Sequence, residues 1–430
     1  MDIILNKNRG WYSLDNAAKI YPAITNARSS YVFRVAVNLK EDVKPEILQQ
    51  AIIESRRRFP TMYVKLKKGL FWYYLESNGK TPLLKPEGPF LGHHIDKTTN
   101  NGFLFSFYYY RNRVALEVFH SLCDGGSAIE LLKSVVFHYF QLQGKALDSE
   151  GLVITKEQTP DNTEIEDSFI KNYAQQKRAK SPVKKAYHVK SKKMPLGVGL
   201  GVINGKLSAK EFVALSKQSQ ATVTQYLVAS LIYAIAQAYG PRIPRRRPIN
   251  VSIPVNLRKF FNSNSLRNFT LFFHTSVYSH PGLTFEEVLA IVKESFQTEL
   301  TQEKMQQTLN ANVSAEKNLA LRLTPLFLKK LALNLVANAL GSNLETCAMS
   351  NIGLIKIPSG MKPLIQDFEF NLPPEDKLAF GIGVITFEDN MNICFCRSIV
   401  PNEVERFFFA RLASLGLNVA IESNLREEVV

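Results

Sequence analysis

The run His120-Ser121-Leu122-Cys123-Asp124-Gly125 places an imidazole four residues before an Asp-Gly pair. An apolar, strand-like stretch leads into His120, and an apolar, helix-like stretch follows Gly125. An imidazole at such a junction is held rigidly, with a carboxylate nearby. Its ordinary pKa of ~6.5 leaves it largely neutral near pH 7, able to accept a proton as a general base. A plain structural reading also fits: Asp124 caps the helix and His120 ends the strand, hydrogen-bonded and inert. Spacing alone leaves both readings open.

Other reactive residues carry weaker patterns. His93 and His94 precede Asp96, but no third ligand stands at a useful spacing, so no metal is expected. His138 falls inside the helix after the motif and is expected to be a packed or surface residue. Gly197-Val198-Gly199-Leu200-Gly201 lacks the Gly-x-Gly-x-x-Gly spacing of a dinucleotide loop and reads as flexible backbone. There is no Gly-x-Ser-x-Gly elbow and no His-Glu-x-x-His, so a serine hydrolase or zinc protease has no local support. The four cysteines, Cys123, Cys347, Cys394 and Cys396, fit neither a metal site nor a disulfide framework. They are expected to be buried free thiols, with Cys394 and Cys396 on one face of a strand.

The elements that must position His120 can be read from periodicity. Tyr31 to Lys40 is a strand, and Pro45 to Phe59 a helix stopped by Pro60. One hairpin turns at Lys67-Lys68-Gly69, and another joins Phe103 to Arg111 with Val114 to Phe119. Gly125 and Gly126 then turn the chain into a helix whose apolar face is Ile129, Leu131, Leu132, Val135, Val136 and Tyr139. From Gln141 to about Pro195 apolar runs are few and the stretch reads as a connector outside the core. The second half restarts with Ser208-Ala209-Lys210-Glu211, a capping box, and a longer helix spans Thr222 to Tyr239. Strands are expected at Ile249 to Ile253, Phe269 to Ser279, Thr346 to Ser350, Leu378 to Phe387 and Met391 to Arg397, with a last helix from Glu403 to Leu417.

At 430 residues, 45% hydrophobic and 21% charged, the chain can bury a large core and is long enough for two lobes, which excludes global disorder. Both halves mix strands and helices, so two similar α/β lobes are expected, residues 1–175 and 176–430. The N-terminal residues lack a signal-peptide pattern, and no apolar run approaches the ~20 residues of a membrane span. A cytoplasmic protein with no membrane span is the expectation. The net charge of +15 implies attraction to something anionic: nucleic acid, an acidic membrane, an acidic carrier protein or a phosphorylated small molecule. Nucleic-acid binding is disfavoured, because no recognisable module accompanies the charge.

The His-Ser-Leu-Cys-Asp-Gly run at 120–125 resembles the His-x-x-x-Asp-Gly signature of the chloramphenicol acetyltransferase-like superfamily. Three further stretches are similar to segments of that group and occur in the expected order. They are Thr222-Val223-Thr224-Gln225-Tyr226-Leu227-Val228-Ala229-Ser230-Leu231, then Val251-Ser252-Ile253-Pro254-Val255-Asn256-Leu257-Arg258, then Met349-Ser350-Asn351-Ile352-Gly353. Together they cover most of the chain from Tyr31 to Leu417. Trp11-Tyr12-Ser13-Leu14-Asp15-Asn16 and Val255-Asn256-Leu257-Arg258-Lys259-Phe260-Phe261 most resemble the stand-alone alcohol O-acetyltransferase-like proteins. The Asp-Phe-Gly-Trp-Gly signature of the plant branch is absent.

The resemblance implies a two-lobed α/β fold, each lobe a mixed β-sheet with packed helices and an active-site tunnel between them. It implies a CoA-dependent O-acyltransferase, with acyl-CoA as co-substrate, no bound cofactor and no metal. His120 would deprotonate an acceptor hydroxyl or amine for direct attack on the thioester and then protonate the departing thiolate, with no acyl-enzyme. Asp124 would form a structural ion pair with Arg258, and Gly125 would serve the motif turn. Ser350 is the candidate oxyanion donor, with Asn351 positioning its turn. Arg245, Arg246 and Arg247 are candidates for holding CoA phosphates or an acidic carrier protein. Two alternatives stay open: a condensation-type enzyme using an acyl carrier protein in trans, and a non-catalytic binding module of the same fold.

Overall fold

Residues 32–39 are rich in β-branched and aromatic side chains and form a strand buried at every position, the kind of strand that has packing on both faces. The computed structural model describes residues 10–26, 29–88, 94–96, 98–175, 185–195, 199–336, 343–375 and 377–425. The chain begins β1 (Trp11–Ser13), α1 (Tyr21–Ile24), β2 (Val32–Leu39), α2 (Pro45–Glu54), β3 (Val64–Lys68), β4 (Tyr73–Ser77) and β5 (Leu84–Pro86). It continues with β6 (Phe105–Tyr110), β7 (Arg113–Phe119), α3 (Gly125–Leu142) and α4 (Ser168–Lys171). The second half runs β8 (Gly201–Ser208), α5 (Ala209–Gln218), α6 (Val223–Tyr239), β9 (Ile249–Asn256), β10 (Thr270–Val277), α7 (Phe285–Glu299) and α8 (Gln302–Lys317). It ends with α9 (Leu319–Leu323), α10 (Leu326–Val336), β11 (Cys347–Leu354), β12 (Ile365–Asn371), β13 (Phe380–Phe387), β14 (Asn390–Arg397), α11 (Glu403–Ser414) and β15 (Ala420–Ser423).

Two mixed sheets organise these elements, beside a small one of order β1-β4-β3. The first has the order β12-β2-β7-β6-β5, antiparallel except for β5 beside β6. Helix α3 packs on it through a face that includes Ile129, Leu132 and Val136, in one of two large cores. The second sheet has the order β10-β9-β11-β13-β14-β8-β15, with β11 parallel to both neighbours. Helix α6 supplies Leu227, Leu231 and Ile235 to the other core.

Strand β12 comes from the second half of the sequence yet forms the edge of the first sheet, antiparallel to β2. To reach it the chain crosses close over β13. A Cβ on Gly383 would collide with the carbonyl of Phe370, so only glycine admits the approach.

Several sequence expectations are corrected by the packing. Helix α2 ends at Glu54 and tightens into a single 3₁₀ turn over Ser55–Arg57, short of Pro60. The Gln141–Pro195 stretch is not excluded from the core: Phe169, Tyr187 and Val189 are buried in it. Ser208 caps α5 by accepting from the Glu211 amide and donates its hydroxyl to Asp389, but the Glu211 side chain does not accept from the Ser208 amide, so the capping box is incomplete. Strand β9 runs on to Asn256, where hydrogen bonds to β10 carry it past Pro254. Strand β11 runs on to Leu354, and residues 350–353 are a bulged strand where a turn was expected. Gly353 sits in that bulge at φ +87°, a conformation that favours glycine.

All four cysteines are free and buried, and Cys394 and Cys396 share one strand face with Sγ atoms 3.8 Å apart. His93, Gly197, Val198 and residues 177–184 of the basic stretch lie outside the described residues. Among the described residues no single helix is long and apolar enough to cross a membrane.

Candidate active site

His120 follows directly on β7, and its backbone N–H donates to the Tyr31 carbonyl at 2.9 Å, fixing it against β2. Its ring stacks on Tyr21, centroids 5.1 Å apart, and tilts against Phe33 at 4.6 Å. From the second half, the Asn268 amide donates to the His120 carbonyl at 3.0 Å and to buried Asp15 at 3.2 Å. The ring's Nδ1 is buried and makes no hydrogen bond. Burial in this aromatic bed lowers the His120 pKa to about 4, outweighing the opposing pull of the Asp124 charge and of Asn268. The imidazole is therefore neutral at pH 7.

Asp124 is the N-cap of α3, its Oδ1 accepting from the Ser127 amide at 3.1 Å. Its Oδ2 accepts from Arg258 Nη1 at 2.7 Å, the Phe269 amide at 3.0 Å and Thr270 Oγ1 at 3.3 Å. Burial alone would raise this carboxyl, but Arg258 and the amide donors prevail and hold it below its ordinary value. Both oxygens are thus engaged by structure. Gly125 is the first residue of α3 and has no left-handed backbone, so it opens the helix where a turn was expected.

Arg258 lies just after β9, and Nη1 is the nitrogen it gives to Asp124. Its Nε and Nη2 donate to the Ser265 carbonyl, and Nη2 also reaches the Arg267 carbonyl at 2.6 Å and Ser127 Oγ at 3.2 Å. A guanidinium so fully used is fixed in place, and it ties the start of α3 to the loop between β9 and β10.

A cavity of about 1460 Å³ is lined by Tyr21, Tyr31 and His120 from the first half of the sequence and by Thr224, Ser350 and Phe370 from the second. Ser350 and Asn351 both line it. The Asn351 side chain donates to Thr224 Oγ1 at 3.1 Å and accepts from the Gly353 amide at 2.9 Å, pinning the bulge to the start of α6. Arg245, Arg246 and Arg247 are exposed and line no part of the cavity. Lys259, one residue past Arg258, does line it.

Sequence reasoning missed several cavity residues. Tyr21, Tyr31 and Asn268 hold His120, yet their spacing gives no periodic signal. Glu345 and Glu375 also line the cavity. Burial, reinforced by the charge of Glu375, raises Glu345 to about 8, and burial raises Glu375 to about 6 despite its hydrogen bond with Tyr31. Glu345 directly precedes the strand expected at Thr346 to Ser350, which was the one available clue. His138 is buried in α3 and bonds Glu54 at 2.6 Å, away from the cavity. Among the described residues no three potential ligands gather as a metal site.

No protein-family model matches the sequence, and no curated protein matches it. Solved structures do. The chain is similar to TRI101 of F. graminearum complexed with coenzyme A and T-2 mycotoxin, at TM-score 0.62 and 10% identity, covering 95% of this chain and 99% of that one. It is similar to polyketide synthase associated protein 5 from Mycobacterium tuberculosis, at TM-score 0.59 and 12% identity, covering 94% and 96%. It is also similar to the first condensation domain of the CDA synthetase, at TM-score 0.55 and 13% identity, covering 93% and 94%. Two mixed sheets, an exchanged strand and a cavity between them over nearly the whole length give this chain the chloramphenicol acetyltransferase-like fold of condensation domains and acyltransferases.

Proposed function

We propose that the protein is a CoA-dependent O-acyltransferase in which His120 is the general base. The observation that carries this reading is a neutral, aromatic-bedded imidazole at a cavity wall, beside a carboxylate wholly occupied elsewhere. In the proposed reaction the acceptor O–H gives its proton to His120 as its oxygen attacks the thioester carbonyl. The C=O electron pair moves onto oxygen, and Ser350 is the proposed donor to that oxyanion. When the intermediate collapses the C–S bond breaks, the thiolate takes the proton from His120, and the ester leaves. As the ring gains positive charge, the fixed Asp124 carboxylate stabilises it through space. Similarity to a structure complexed with coenzyme A supports the choice of donor, and Lys259 on the cavity wall is a cation suited to the donor's phosphates.

The test is thiol release from acetyl-CoA and longer acyl-CoA donors with a panel of alcohols, amines and sugars, run beside acyl carrier protein loaded with the same groups. Release with CoA donors that depends on His120 and on an alcohol supports the proposal. Turnover confined to the loaded carrier protein would replace it with a condensation-type reaction. Equal release by wild type and His120→Ala across all donors would leave a binding module of the same fold.

A further inference from the structure

Helices α9 and α10 carry their apolar residues on the wrong side for a surface element. The face of α10 turned inward holds Leu326, buried at 4% exposure, and Lys329, buried completely. The face turned outward holds Phe327, Leu328 and Leu331, spaced one and four residues apart on the helix. Beside it α9 presents Leu319 and Leu323, also four apart. The β3–β4 hairpin adds Leu70 and Phe71 to the same surface, for its Leu70 carbonyl accepts from the Leu326 amide at 2.8 Å. Lys329 locks the two pieces together: its Nζ donates to the Phe71 carbonyl at 2.9 Å and lies 3.7 Å over the Trp72 ring. Leu70, Leu319, Leu323, Phe327 and Leu331 are each between 62% and 71% exposed.

So many large apolar side chains grouped on one rigid surface mark an interaction site, since scattered singles are ordinary and a contiguous patch is not. The charge around the patch is predominantly basic, and Glu316 at its edge is paired with Lys19. From Lys317 to Leu344 the sequence holds no Asp or Glu, while Lys317, Arg322, Lys329 and Lys330 fall within it. Arg322 and Lys330 are exposed beside the leucines, and Lys68 is exposed on the hairpin. The acidic neighbour Glu76 is already paired with Lys65 at 2.7 Å. Leucine and phenylalanine flanked by lysine and arginine, on a chain of net charge +15, match an anionic lipid surface. Position gives the surface a use: Leu333 of α10 and Ile20 beside it both line the cavity, so the patch borders the space that holds His120.

We infer that the α9–α10 face and the tip of the β3–β4 hairpin dock the protein on an anionic membrane surface, bringing the cavity against the lipid. The inference concerns where the protein sits, and it stands or falls apart from the acyl-transfer proposal. The test is sedimentation of the full chain with phosphatidylcholine vesicles, with and without phosphatidylglycerol. Wild type should pellet with the phosphatidylglycerol vesicles alone and be released by added salt. The variant Leu319→Ser/Phe327→Ser/Leu331→Ser should lose at least about tenfold of that partition. Arg322→Glu/Lys330→Glu should lose it too, and both variants should keep the wild-type melting transition. Absence of pelleting by wild type, equal pelleting with neutral vesicles, or undiminished pelleting of the triple-serine variant would overturn the inference. So would a wild-type dimer on size exclusion that the triple-serine variant dissolves, because the face would then meet a second copy.

Discussion

Arg258 Nη1 lies 2.7 Å from Asp124 Oδ2, joining two residues that are 134 positions apart in the chain. The contact holds the start of α3, and with it the position of His120, against the loop that follows β9. Because Asp124 is fully engaged by this pair and by backbone amides, it is placed to shape the site and supply a fixed field, while His120 lines the cavity as a neutral imidazole.

Replacing His120 with alanine should lower kcat/KM for thioester turnover by about 10²–10⁴-fold, the usual contribution of a general base. Its ring packs on Tyr21 and Phe33, and its buried Nδ1 makes no hydrogen bond, so the variant should stay folded. Thiol-release kinetics beside a thermal melt make the measurement; a drop smaller than threefold would remove His120 from the chemistry.

The buried pair gives a different signature. Arg258→Ala leaves the Asp124 carboxylate buried without its cation and should cost roughly 3–5 kcal/mol of stability. Asp124→Asn, which keeps a cap for α3, should cost less than Asp124→Ala. Urea unfolding of the two single alanine variants and the double variant checks this, and strictly additive losses would show that the pair does not act as a unit.

Ser350→Ala should reduce kcat by roughly 10²-fold or more with little change in KM if its hydroxyl serves the oxyanion. Lys259→Glu should do the reverse, raising KM for acyl-CoA while sparing kcat. Steady-state kinetics with donor varied separates the two. A Ser350→Ala enzyme with wild-type kcat would assign the oxyanion to another donor.

The pH behaviour follows from burial. In the proposed reaction His120 acts as a neutral base, and its pKa of about 4 should put the acid limb of kcat/KM well below the ~6.5 of a free imidazole. An acid limb near 6.5 would mean the ring is solvated in the working enzyme. Glu345 works in the opposite sense on stability. Its native pKa of about 8 lies above its unfolded value of 4.5, so the native state holds a proton that the unfolded state has lost. Its contribution is therefore full below pH 4.5 and fades as pH rises through about 8. Glu345→Gln should flatten that decline, as read from unfolding midpoints across the range.

The sequence by itself determined the local elements and the reactive residue within them. Apolar periodicity marked β2, β7, α3 and α6, and the four-residue spacing from His120 to Asp124 marked their junction, because side-chain period is a local property of strands and helices. The resemblance also named Arg258 and residues 350–353. It did not give β12 its place in the first sheet, since seven half-polar residues with a bulge look like loop until β2 offers them a partner. Nor could it reach Asn268, Glu345 or Glu375, whose roles come from what packs over them. Strand pairing, desolvation and charge fields depend on neighbours brought from more than a hundred residues away, and the tertiary structure alone decides which neighbours those are.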